Sequence, residues 1–182
     1  MIEETLLIAQ LKNAQTKEKA FRELIKLYKE RLYWHIRKIV ISHDDADDVL
    51  QNTFIKIFKN IDSFKQDSKL FSWMYRIATN ESITFINKRA KQKNVDITDY
   101  QHQLTSTLKS DDYFNGNEIQ IILQKAIATL PEKQQLVFNM KYFDELKYTE
   151  ISEILKTSVG ALKASYFHAV KKIENYIKEQ TN

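Results

Sequence analysis

The sequence predicts an all-α protein: two small helical domains joined by a flexible linker, the second containing a helix-turn-helix. Three observations lead there. The 182 residues include only 2 Gly and 1 Pro, against about 12 and 9 expected from average usage. Hairpins and sandwich turns draw on Gly, Asn and Pro, so the count disfavours an all-β domain. Apolar residues recur at three- and four-residue spacing along most of the chain, as they do in helices that bury one face. That periodicity fails from about residue 92 to 116, where Gln, Thr, Ser, Asp and Asn dominate, a composition that reads as a linker. The expected division is 1–91, linker 92–116 and 117–182.

The same counts remove function classes. Gly116 and Gly160 stand alone, so no glycine-rich loop cradles a phosphate. With no Cys there are no disulfides, thiolate zinc sites or cysteine nucleophiles. The start, Met1-Ile2-Glu3-Glu4, lacks the basic and apolar regions of a signal peptide, and no run reaches the ~18 apolar residues of a membrane span. A cytoplasmic protein is expected. His35, His43, His102 and His168 fall in separate segments without ligand spacing. No catalytic residue, metal or cofactor is expected, and the chain is not expected to be an enzyme.

A short first helix rests on Leu6, Leu7 and Leu11. Phe21, Leu24, Ile25, Tyr28, Leu32, Ile36 and Ile39 mark a long helix over about 17–41. After His43-Asp44-Asp45, the stripe Ala46, Val49, Leu50, Thr53, Phe54, Ile57 and Phe58 marks the next, with Asp44 or Asp45 expected as its N-cap. Residues 61–68 read as a loop. Leu70, Trp73, Met74, Ile77 and Ala78 then line a helix to about Lys91, whose end carries Lys88, Arg89, Lys91 and Lys93. Beyond the linker, Ile119, Ile122, Leu123, Ala126, Ile127 and Leu130 resume the period. Pro131 suits the first turn of a following helix, which carries Leu136, Val137, Met140 and Tyr142. A short helix Tyr148–Leu155, the turn Lys156-Thr157-Ser158 and a final helix over about 159–178 complete the chain.

Four constellations carry possible chemistry. The last two helices have the layout of a helix-turn-helix, in which Ser158 caps the second helix and Leu162 packs back. The exposed side of that second helix offers Gly160, Ala161, Lys163, Ala164, Ser165, His168, Lys171 and Lys172, small or basic groups suited to approach phosphates and bases. An αα-hairpin ending a bundle would share the spacing. Asp44-Asp45-Ala46-Asp47-Asp48 matches the aspartate-rich motif of isoprenoid synthases. Magnesium sites need convergent carboxylates and there is no second such motif, so the run reads as a charged helix start. Asp48, Gln51, Asn52 and Ile55 share a face at i, i+3, i+4 and i+7, either a solvated face or a protein-docking one. Finally, Phe64, Phe71, Trp73, Tyr75 and Phe85 interleave with Lys65, Lys69, Arg76, Lys88 and Arg89. Such a mixture suits single-stranded DNA. Trp73 is expected to face inward, Phe64 and Tyr75 outward.

Four segments in register resemble a known family. Asp45-Ala46-Asp47-Asp48-Val49-Leu50-Gln51-Asn52-Thr53-Phe54, Phe71-Ser72-Trp73-Met74-Tyr75-Arg76-Ile77-Ala78-Thr79-Asn80, Leu130-Pro131-Glu132-Lys133-Gln134 with Tyr148–Leu155, and Ser158-Val159-Gly160-Ala161-Leu162-Lys163 resemble, in order and spacing, the extracytoplasmic-function (ECF) sigma factors, over about residues 15–180. The resemblance implies a promoter-specificity subunit that docks on the β′ clamp of core RNA polymerase, melts and reads the −10 element, touches the β flap and reads the −35 element. An anti-sigma factor would be a further partner, common in the family. By residue, it implies polymerase binding at Asp45, Asp48, Gln51, Asn52 and Ile55. For the −10 element it implies Phe64, Lys65, Tyr75, Arg76, Asn80, Lys88 and Arg89, and for the −35 element Ser158, Gly160, Lys163, Ser165, His168 and Lys171. Thr84 replaces a common aspartate, Lys156 the usual turn glycine, and Ser165 a common basic residue. The rival readings are a stand-alone helix-turn-helix regulator and a magnesium-diphosphate enzyme.

The chain is mildly basic, at +4. Residues 1–91 carry net +5, 92–116 net −2, and 117–182 net +1.

Overall fold

In a computed structural model of the chain, residues 4–106 and 118–181 are described, and among them there are helices and turns but no strand. α1 (Glu4–Lys12) buries Leu7, Ile8 and Leu11 against α2 (Lys17–Val40). α2 is the spine of the first half, with Leu24, Leu32, Ile36 and Val40 inward, as the period predicts. It ends at Ile41, which has φ 67°. A β-branched residue there is a true outlier, and it is buried against Ile121 and Leu104, from well beyond the first four helices.

α3 (His43–Asn60) buries Ala46, Val49, Leu50, Thr53, Phe54 and Ile57. Its N-cap is Ser42, whose Oγ accepts from the Asp45 N–H. Asp44 and Asp45, expected as caps, sit instead in the first turn, where the helix dipole favours their charge. A 3₁₀ turn (Ile61–Ser63) leads to α4 (Leu70–Gln92). α2, α3 and α4 pack on one another around a core of some twenty-nine buried apolar residues, which also takes in Val137, Met140, Leu146, Ile151, Ile154 and Leu162.

The expected linker differs from the structure at its first half. Ile97–Ser106 forms a helix, α5, packed on α4 and on α6 (Glu118–Ala128). Its buried residues are Tyr100, Gln101 and Thr105, and Gln101 exchanges two side-chain hydrogen bonds with Gln135, at 3.1 and 3.0 Å. The buried face is largely polar, so no apolar stripe announces it. Gly116, expected to close the linker, lies outside the described residues.

α7 (Glu132–Phe138) follows Pro131, whose carbonyl accepts from Gln134 and Gln135. The expected continuation through Tyr142 widens into a π turn (Asn139–Phe143), closed by Asp144 N–H to the Asn139 carbonyl and by Glu145 at φ 54°. α8 (Tyr148–Leu155) and α9 (Val159–Thr181) are the helix-turn-helix. Between them Lys156 is left-handed, at φ 54° and ψ 42°. A second apolar cluster, of Ala126, Ile127, Leu130, Phe138, Ala169 and Ile173, joins α6, α7 and α9.

Candidate polymerase and nucleic-acid interface

The helical register of α3 that buries Val49, Leu50 and Phe54 turns Asp48, Gln51, Asn52 and Ile55 to solvent. Ile55 is 45% exposed. It borders a shallow groove of about 350 Å³ lined also by Phe21, Ile25, Gln51, Phe54, Phe58 and Lys59. The groove is apolar because α2 and α3 meet there through edge-on rings, Phe21 lying 4.9 Å from Phe58 and 6.2 Å from Phe54. Asp45 stands apart from this stripe: its carboxylate is 3.3 Å from Arg89 on α4.

On α4, Asn80, Lys88 and Arg89 are exposed and Arg76 is half-buried. Lys65 is exposed on the preceding loop. The Arg89 guanidinium also lies over Phe85, 5.0 Å from the ring. The two aromatics expected to face outward do not. Phe64 is 3% exposed and stacks 5.0 Å from Trp73, while its carbonyl accepts from Lys12 at 2.6 Å. Tyr75 has no exposed surface: it lies 4.5 Å from the His35 ring and 4.2 Å from Phe71, and its hydroxyl donates to the Arg31 carbonyl at 3.3 Å. Burial, with the Asp144 charge second, pushes its phenol far above the ordinary range. Both rings are scaffold beneath the surface. Trp73, expected inward, is half-buried against Phe64.

In the helix-turn-helix, Ser158 accepts from the Ala161 N–H at 3.3 Å, the expected cap. Gly160, Lys163, His168 and Lys171 are exposed, and Ser165 is half-buried. A Cβ on Gly160 would meet nothing within 4 Å, so packing does not require this glycine. Lys171 lies 4.5 Å over Phe167.

One buried polar network was not signalled by any motif. Asp144, with 4% of its side chain exposed, meets Lys38 Nζ at 2.5 Å and His35 Nδ1 at 2.9 Å. His35 is fully buried, and its Nε2 is 2.9 Å from Thr79 Oγ1. Thr79 donates its own proton to the Tyr75 carbonyl, so its oxygen accepts from the ring. Burial alone would push the Asp144 carboxyl up; the hydrogen bonds and charges of His35 and Lys38 outweigh it and hold the group below its ordinary value. His35 and Asp144 are 109 residues apart, beyond the reach of any spacing rule.

Among the described residues no three His, Cys, Asp or Glu side chains gather to hold a metal ion. The Asp44–Asp48 run is spread around the first turns of α3, with Asp45 paired to Arg89 and Asp47 to His43. No described helix is long and apolar enough to cross a membrane.

Residues 24–92 match the family described as Sigma-70 region 2, and residues 120–173 match Sigma-70, region 4. The ECF RNA polymerase sigma factor SigW of Bacillus subtilis is 33% identical over 152 residues, which cover 79% of this chain and 81% of SigW. The chain belongs to the ECF sigma factors. The sigma-E factor of Escherichia coli K12 is 28% identical over 169 residues, 88% of each chain. Two solved structures share the fold: CnrH, solved with the cytosolic domain of CnrY, at TM-score 0.71 and 18% identity over 97% of both chains, and the sigma factor RpoE of Bartonella quintana, solved with the anti-sigma factor NepR, at 0.66 and 20% over 88% of this chain and 98% of that one.

As an ECF sigma factor the protein acts in transcription initiation, as a regulator rather than a catalyst. Region 2 spans α2, α3 and α4, and region 4 runs from α6 into α9. The α3 stripe of this sigma factor is gathered on one face. The basic residues of α4 lie on its solvent side, except that Arg76 donates from Nη2 to the Glu153 carbonyl of α8 at 2.6 Å.

Proposed function

We propose that this sigma factor docks on core RNA polymerase through Asp48, Gln51, Asn52 and Ile55, while Asp45, apart from that stripe, positions Arg89. It reads and melts the −10 element with Lys65, Arg76, Asn80, Lys88 and Arg89, and it places α9 on the −35 element. Phe64 and Tyr75 support the −10 surface from beneath. On α9, the amide-rich N-terminus around Ser158 and Gly160 faces phosphate, and Lys163, Ser165, His168 and Lys171 face the groove. The CnrH and RpoE structures contain binding proteins, and an anti-sigma factor is proposed as a partner of this chain as well.

The observation that carries the docking assignment is Ile55. An apolar side chain 45% exposed, beside an apolar groove and flanked by Gln51 and Asn52, is the composition of a protein-binding patch rather than of a solvated face. The decisive experiment is transcription in vitro with purified core polymerase on genomic fragments, with start sites mapped. Ile55→Asp puts a charge against the groove and should lower apparent affinity for core about tenfold or more, while its exposed position keeps the change in stability within about 0.5 kcal/mol. Failure to form a complex with core, or full activity of Ile55→Asp and Gln51→Ala, would favour the stand-alone regulator.

A further inference from the structure

The chain between the 3₁₀ turn and α4 forms an arch over residues 65–69. Lys65, Gln66, Asp67 and Lys69 are exposed on it and Ser68 is half-buried. Among the described residues, backbone hydrogen bonds hold only its ends: Phe64 N–H to the Ile61 carbonyl and Trp73 N–H to the Lys69 carbonyl, both at 3.1 Å. Gln66, between them, has φ 61°. A non-glycine residue keeps that conformation only where its surroundings fix it. Whatever fixes the arch acts at its feet.

The first foot is Phe64. Its ring is buried against Trp73, and its carbonyl accepts from Lys12 Nζ, 52 residues away, at 2.6 Å. The second foot is Leu70, the first residue of α4, which has no exposed surface. Its N–H donates to Glu4 Oε1, 66 residues away, at 3.1 Å. α4 brings no cap of its own: the Lys69 side chain makes no capping bond, and its first turn holds no acid. A helix N-terminus leaves N–H groups unsatisfied and favours negative charge. Glu4 supplies both the acceptor and the charge from another helix.

Glu4 and Lys12 are the two terminal residues of α1. At 1.5 Å rise per residue they stand about 12 Å apart along its axis, and Leu7, Ile8 and Leu11 between them are buried in the core. One anchored helix thus grips both feet of the arch. Each grip is a charge-assisted hydrogen bond, stronger than a neutral one. The Lys17–Asp62 pair, at 2.7 Å, adds a more exposed contact that salt screens. The match to Sigma-70 region 2 begins only at residue 24, so both grips come from outside it.

We propose that α1 is a clamp that sets the shape of the 65–69 arch for an unpaired base of the −10 element, with Glu4 and Lys12 as its positioning residues. The proposal rests on the functional reading above, in which Lys65 belongs to the −10 surface. A clamped arch meets the strand in one shape. A released arch samples several, and the correct base then gains less over an incorrect one.

The test uses the full chain with core polymerase on a mapped promoter. Glu4→Ala and Lys12→Met should each slow opening of the −10 region, read by permanganate reactivity of unpaired thymines, about fivefold. Affinity for core should stay within about twofold, since the α3 stripe is untouched. The deciding readout is the ratio of transcription from that promoter to transcription from one with a substituted −10 base. It should fall at least about threefold, and a smaller folded fraction alone cannot change it. Glu4→Gln, which keeps an acceptor oxygen, and Lys12→Arg, which keeps a charged donor, should restore it. An unchanged ratio in both Glu4→Ala and Lys12→Met overturns the clamp, as does a ratio that neither conservative variant restores. Lys65→Ala, Gln66→Ala and Asp67→Ala combined keep the two failures apart. If the combination alters opening and the α1 variants do not, the clamp alone is wrong. If the combination alters neither opening nor the ratio, the −10 role of the loop is wrong, and the clamp falls with it.

Discussion

Asp144 illustrates how one residue can hold distant parts of a chain. Its carboxyl sits below its ordinary value of 3.8 because His35 and Lys38 outweigh the burial that opposes ionisation. A carboxyl depressed in the folded state contributes stability that is complete above the ordinary value and is lost as pH falls through the lowered one. The groups facing it are His35 and Lys38 from α2, with the neutral phenol of Tyr75 from α4 behind them. Stability to urea should therefore hold from neutrality to about pH 4 and fall below about pH 3.8, and Asp144→Asn should remove that acid step. Tyr75 makes the complementary point. Its hydroxyl bonds only to Arg31, donating to the carbonyl over a long 3.3 Å and meeting the guanidinium, and the ring fills the core. Tyr75→Phe should cost about 1 kcal/mol or less, whereas Tyr75→Ala should cost roughly 3–5 kcal/mol, both read from urea unfolding. A Phe variant that lost promoter activity at full stability would return this residue to the DNA-contacting set.

At the scale of elements, what periodicity could reveal depended on what each helix buries. α2 and α3 each bury an apolar face, and their spans agree with the sequence reading to within a few residues. The α3 stripe was legible for the same reason: once the buried face is known, i, i+3, i+4 and i+7 on the other side follow. α5 was not, because a buried face of Tyr100, Gln101 and Thr105 stabilised by a Gln101–Gln135 pair has no apolar period. The outward placement of Phe64 and Tyr75 failed because an aromatic in a basic segment serves equally as a stacking platform or as core, and composition does not separate the two. The α8–α9 turn was readable through a departure. Lys156 stands where the family has glycine, and the structure puts it at φ 54°, a conformation that costs an L-residue roughly 1–2 kcal/mol. Glycine returns part of that through its own unfolded-state entropy. Lys156→Gly should thus stabilise the protein by roughly 0.5–1 kcal/mol, seen as a higher midpoint in thermal unfolding. A lower midpoint would mean that the Lys156 side chain contributes more to the cleft against α4 than its exposure suggests.

For the whole molecule, charge decides how much of promoter binding the protein can do alone. The first 91 residues hold a net +5 and the last 66 only +1, and the helix-turn-helix packs against Arg76 and Asn80 of the more basic half. What remains free on α9 to meet phosphate is chiefly Lys163, Lys171 and Lys172. Each neutralised phosphate contributes a slope of about −0.9 to the dependence of log affinity on log salt. Free protein binding a duplex that carries the mapped −35 element should therefore show a slope near −3 and weak affinity at physiological salt. Lys171→Gln should reduce the slope by about 1 and weaken binding evenly across sequences, as expected of a phosphate contact. Fluorescence anisotropy over a salt series measures both. A slope of −6 or steeper would mean that the exposed Lys88 and Arg89 of α4 reach the same duplex.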